Sequence, residues 1–111
     1  MVADLPTEQE RVCRRFGTGC VPPRPGTTVG VALATLSRPP LNALRHPANE
    51  TTCGWYIWGG EVLSRASDFF QPLHVEHLEE RCPAILPYLG LPAGWRVLIA
   101  PGQEDVWYDA L

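Results

Sequence analysis

The amino-acid sequence predicts an α+β domain: a small, mostly antiparallel sheet packed against one main, kinked helix, with a short N-terminal helix beside it. Three observations carry this expectation. Strand-like runs rich in Val, Ile and Trp recur at 29–36, 55–61 and 95–100. Between the last two, apolar residues from Val75 to Leu89 fall at spacings of three and four, the helical period. The order helix, strands, helix, strands does not alternate strand with helix as a parallel sheet requires. At 111 residues the chain suits a single domain over 1–111, with 1–27 as helix plus connector and 28–111 as the core.

Each element has a local reason. In TEQERVCRRFG, residues 7–17, Thr7 is placed as an N-cap, Glu10 completes a capping box, and Gly17 ends the helix. Its apolar positions Val12, Cys13 and Phe16 form a narrow stripe, enough to dock but not to stand alone. CVPPRPGTT is a turn-rich connector leading to VGVALATL, the first strand. The prolines of SRPPLNALRHP confine any further strand to Leu41–Arg45 and favour an edge position for it. In WYIWGGE the pleat sends Trp55 and Ile57 to one face and Tyr56 and Trp58 to the other, and the glycines at 59 and 60 suit a turn or bulge that re-aims Glu61. QPLHVEHLEERCPAILPYLG, residues 71–90, is the expected main helix, with Pro72 in its first turn, and with Pro83 and Pro87 forcing a kink or a division near Cys82. GWRVLIA reads as another strand, PGQED as a turn, and VWYDAL as a short strand or extended arm.

Composition excludes several function classes. Net charge is −3, and acids and bases are scattered, so no basic stripe exists for phosphate neutralisation and no nucleic acid is expected as partner. No apolar run approaches the roughly 18 residues of a membrane span, and the start lacks a signal-peptide pattern, so a cytoplasmic location away from the membrane is expected. The sequon Asn49-Glu50-Thr51 has no role in that compartment. Cys13, Cys20, Cys53 and Cys82 match no zinc or redox spacing, so free, buried or half-buried thiols are expected.

The search for chemistry yields little. His74 and His77 flank Glu76, but the pattern HVEH is not HExxH and would need a third metal ligand from Cys53 or Cys82. Cys53 is the best-placed cysteine for a nucleophile, with His74 or His77 as base, yet no local signature ties them together. Gly-x-Ser-x-Gly and phosphate-loop motifs are absent. No catalytic residue, metal or cofactor is therefore expected. Glu104 and Asp105 beside Trp107 and Tyr108 make the acid-and-aromatic composition that suits contact with a basic partner.

GWYIWGGE at 54–61, FFQPLHVEHLEERCPAILPYLGLP at 69–92, GWRVLIAPGQEDVWYD at 94–109 and PLNALRHP at 40–47 together resemble the bacterial immunity protein thirty-three-like family, small α+β proteins predicted to guard cells against toxins of polymorphic toxin systems. The resemblance covers residues 28–111 and not the N-terminal helix. It implies a non-catalytic role, binding a toxin domain and blocking its active site or substrate, and brings no catalytic or metal residues with it.

Within that frame Trp55, Ile57 and Trp95 are assigned to the core, because an aromatic ring buries on the order of 200 Å². The expected partner-binding residues are Tyr56, Trp58, Glu61, Glu104, Asp105 and Trp107. One helix can cover only one side of a small sheet, so the Tyr56 and Trp58 face is left for a partner unless the N-terminal helix reaches it. The alternative is a small-ligand or regulatory module with a pocket lined by Trp58, Tyr88 and Trp107. Oligomeric state and strand order are open at this level.

Overall fold

The computed structural model describes residues 7–64 and 66–109. Residues 1–6 of the expected domain and the last two of the VWYDAL stretch lie outside that range. The elements are α1 (Glu8–Arg15), β1 (Thr28–Val31), β2 (Leu41–Arg45), β3 (Thr52–Gly59), β4 (Gln71–His74), α2 (Leu78–Arg81), β5 (Trp95–Ala100) and β6 (Gln103–Tyr108). Short 3₁₀ segments occupy Leu33–Thr35, Val75–His77 and Pro83–Tyr88. The strands form one six-stranded sheet in the order β4-β1-β3-β2-β5-β6. Four of its five pairings are antiparallel, and β1 with β3 is parallel. The class is α+β, and the sheet is mixed.

Two expectations are corrected here. The stretch 71–90 is not one kinked helix. Gln71–His74 is strand β4, and the remainder is a 3₁₀ turn, a single α turn and a 3₁₀ segment. Pro72 sits in β4, an edge strand, where its missing N–H costs least. Pro83 opens the last 3₁₀ segment and Pro87 lies inside it, so a continuous i→i−4 ladder cannot run through. The apolar spacing survived because 3₁₀ and α turns repeat at three and about four residues, and Leu78, Cys82, Ile85 and Leu89 are all buried. The second correction is β2, which is central and not at an edge. Its prolines flank the strand at 39, 40 and 47, leaving every N–H of Leu41–Arg45 free to pair.

The helical pieces lie on one face of the sheet. Val29, Val31, Ala43, Trp55, Ile57 and Val97 meet Cys13, Leu78, Ile85, Leu89 and Leu91 there in the main core. Helix α1 carries the expected capping box, Thr7 with Glu10, and docks on this same side against Pro83–Tyr88 through buried Cys13. Trp55 is fully buried and its indole N–H donates to the Leu89 carbonyl at 2.9 Å.

Arg45, at the end of β2, is an unforeseen core residue. It is 4% exposed, and its guanidinium donates to the carbonyls of Val21, Cys53, Leu89 and Leu91 at 2.6–3.2 Å. No carboxylate pairs with it among the described residues. Three segments, around Val21, Cys53 and Leu89–Leu91, thus converge on one side chain.

Candidate functional site

The second face of the sheet is built by the alternate pleat positions, and the register fixes which residues stand side by side. One row runs Tyr56, Leu44, Arg96, Trp107 across β3, β2, β5 and β6, and the next runs Trp58, Asn42, Leu98, Asp105. With strands roughly 4.8 Å apart, Tyr56 and Trp107 end a row spanning about 14 Å. Neither α1 nor α2 covers this face; both contribute to the core on the other side.

Its two ends differ. At the β3 end the segment after β3 folds back, and Phe69 and Phe70 pack with Ala32, Leu44, Tyr56 and Trp58 in a second cluster. Phe70 stands edge-on to Tyr56 at 5.2 Å and to Trp58 at 6.1 Å between ring centroids. Trp58 is consequently 9% exposed and Tyr56 half-buried. Tyr56 lies directly over Gly30, where a Cβ would come within 2.7 Å of its ring, so a side chain at 30 would displace it. At the β6 end nothing covers the face among the described residues. Trp107 is 41% exposed, and Asp105 is exposed with its carboxylate held by the Gln103 amide at 2.8 Å.

Between the two ends lies a concavity of about 500 Å³ with Asn42 and Leu98 on the sheet and Glu61, Pro40 and Gln103 around it. The Asn42 amide donates to the Gly60 carbonyl at 2.8 Å, tying the β3 exit to β2 and fixing the turn that carries Glu61. Glu61 is exposed, and it is followed by Val62 and Leu63, both exposed apolar residues. These two were not among the residues singled out from sequence. The available signal was a pair of apolar residues after Gly-Gly-Glu that belongs to no strand or helix period.

The structure thus gathers Tyr56, Trp58, Glu61, Asp105 and Trp107 on one side and sends Glu104 to the other. Side chains alternate along β6, so Glu104 faces the helices, pairing with Arg15 of α1 and accepting from the Tyr88 hydroxyl. Burial, then the Glu104 hydrogen bond, pushes the Tyr88 phenol up to about 12. The same alternation removes the pocket expected from Trp58, Tyr88 and Trp107, because Tyr88 lies on the helix side while both tryptophans point to the other face, Trp58 at its covered end and Trp107 at its open end.

The histidine and cysteine positions are equally plain. His74 and His77 are exposed and stack at 6.3 Å between ring centroids, and the Glu76 carboxylate accepts from the Gly26 N–H at 2.9 Å, which holds its pKa below the ordinary range. Among the described residues no group of three or more His, Cys, Asp or Glu is placed to hold a metal ion. All four cysteines are free, with Cys13, Cys53 and Cys82 buried and Cys20 half-buried. No described helix is long and apolar enough to cross a membrane.

The family model of the Imm33-like domain matches residues 8–109. The chain belongs to the Imm33-like family. The match begins in α1, so this Imm33-like chain carries the family pattern through its N-terminal helix and connector as well as through its sheet. No curated protein and no solved structure matches the chain.

Proposed function

We propose that this Imm33-like protein is a non-catalytic immunity protein that neutralises a bacterial toxin domain by forming a direct complex with it in the cytoplasm. The observation that supports the reading most is the uncovered end of the second sheet face, where Trp107 and Asp105 are exposed on β6 and Glu61 lines a neighbouring concavity, on a sheet whose other face is filled by helices. An exposed aromatic beside carboxylates is the composition of a contact patch for a basic partner surface, with the charges speeding encounter and the ring providing buried area. Val62 and Leu63 follow Glu61 as exposed apolar residues, Tyr56 and Trp58 belong to the covered end of the same face, and Glu104 has a structural part on the opposite face.

The test is capture followed by a toxicity assay. Immobilised protein is exposed to lysate of the source organism at moderate salt, and the retained polypeptide is then expressed alone in a naive host. The expected result is one polypeptide at near-equal stoichiometry that arrests growth, with growth restored by co-expression of the Imm33-like protein. Trp107→Ala and the pair Glu61→Gln with Asp105→Asn abolish both capture and rescue. A well-folded protein that retains nothing, or retains a harmless polypeptide, overturns the reading.

A further inference from the structure

A second concavity, of about 490 Å³, opens at the other side of the sheet, where the start of β2 and the end of β5 meet the end of α2. Its apolar wall comes from Leu36, Leu41, Cys82 and Ile99, all of which belong to the main core or pack on it. Its volume lies within the roughly 300–1,000 Å³ typical of small-molecule sites. The polar groups around it are unusual in sign. Arg38 enters from the connector before β2 and Arg81 from the last position of α2, and no Asp or Glu lines the cleft.

Both arginines are exposed, and neither makes an ion pair among the described residues. In a chain of net charge −3, two guanidiniums thus border one apolar cavity with no internal carboxylate answering them. The rest of the lining offers few competing donors. Pro39, Pro83 and Pro101 have no N–H, and the Cys82 N–H is spent on the Leu78 carbonyl at 2.8 Å. The site therefore presents apolar wall plus two planar cationic forks, the chemistry that recognises a carboxylate.

We propose that this cleft binds a small amphipathic carboxylate, an apolar body of aliphatic or aromatic carbon with a single anionic head, the body lying on Leu36, Leu41 and Ile99 and the head held by Arg38 and Arg81. The site is separate from the Trp107 face and does not depend on the toxin-binding reading. It opens on the opposite side of the sheet, and at the sheet's end it shares Pro39 and Ala100 with the concavity beside Glu61.

The probe is octanoate, with 1-octanol and octylammonium as the neutral and cationic molecules of the same chain. Titration is followed by amide NMR shifts on the full chain. The expected result is saturable binding of octanoate with shifts centred on Leu41, Cys82, Ile99 and Ala100, no saturation with octylammonium, and clearly weaker binding of octanol. Replacing both arginines, Arg38→Gln with Arg81→Gln, weakens octanoate about tenfold or more, the scale expected when charge-assisted hydrogen bonds are lost. Ile99→Ala is the complementary variant, which weakens octanoate and octanol alike while leaving the arginines in place. Shifts that do not saturate, shifts centred elsewhere, equal binding of octanol and octanoate, or an unchanged affinity in the double arginine variant would each overturn the proposal.

Discussion

Replacing Arg45 with methionine tests the account of the core most directly. The side chain is 4% exposed and bonds four main-chain carbonyls, so Arg45→Met keeps most of the apolar stem and removes only the donors. The Leu89 carbonyl retains the Trp55 indole N–H, which leaves the carbonyls of Val21, Cys53 and Leu91 to lose their guanidinium donor. A buried acceptor left without its partner costs about 1–3 kcal/mol, and the low end applies because removing the cation also removes its own desolvation cost. The expected destabilisation is therefore about 2 kcal/mol, the low-end cost of the two buried carbonyls of Cys53 and Leu91, because Val21 is half-exposed and water can replace the guanidinium at its carbonyl. With a urea slope of about 1.5 kcal/mol/M for a domain of this size, the midpoint falls by about 1.3 M. The assay is equilibrium urea unfolding followed by tryptophan fluorescence, with Arg96→Met as control. Arg96 is partly exposed and paired to Asp109 at 3.2 Å, so its replacement costs less than about 1 kcal/mol. An Arg45→Met midpoint no lower than that of the Arg96 control would refute the argument that the four carbonyls depend on this guanidinium.

Three further outcomes follow from the geometry. Gly54→Ala places a Cβ 1.9 Å from the His46 carbonyl oxygen at a φ of +94°, so the variant is destabilised by about 3 kcal/mol or more, or is recovered insoluble, as read by thermal unfolding. Tyr88 has its phenol raised from 10.0 to about 12 by burial and the Glu104 bond, so it binds its proton more tightly folded than unfolded. Its contribution is complete below pH 10 and is lost as pH rises through about 12, and Tyr88→Phe removes that part of the decline in an alkaline unfolding series. In a thiol titration of the native protein only half-buried Cys20 reacts quickly, since Cys53 and Cys82 are buried and burial pushes the Cys13 thiol up to about 12, whereas all four react in denaturant.

How far these features were legible in the sequence depended on whether the deciding interaction was local. The Thr7 and Glu10 capping box, the division of Trp55 and Ile57 from Tyr56 and Trp58, and the strand at Trp95–Ala100 rest on spacing along a few residues, and each stands in the structure. The stretch 71–90 misled because periodicity reports which residues face the core, and a chain of short turns broken by Pro83 and Pro87 satisfies the same pattern as a helix. β2 misled because flanking prolines were weighed as though they lay inside the strand. The burial of Arg45 left no trace in the sequence, since its four acceptors lie on distant segments and are backbone atoms that any residue could supply. The candidate patch was half legible: GWYIWGG and EDVW pointed to its aromatics and acids, but the turn expected at PGQED hid that β6 already starts at Gln103, and alternation along that strand separates Asp105 from Glu104.

That one-residue separation lets the same short strand tie into the frame through one side chain and present the next to solvent. Glu104 reaches inward to Arg15 and Tyr88, so a change there is felt by α1 and by the segment beneath it. Asp105 and Trp107 reach outward, where Asp105 is bonded only to Gln103 among the described residues and Trp107 is well exposed. Substitutions at the outward positions fall among surface changes, ordinarily within about 0.5 kcal/mol of neutral. The contact patch proposed above is made of such positions, so its residues can be replaced while the core that presents them stays folded. Arg45, Trp55 and the filled helix side carry the stability, which leaves the open end of the sheet free for the contact role proposed for it.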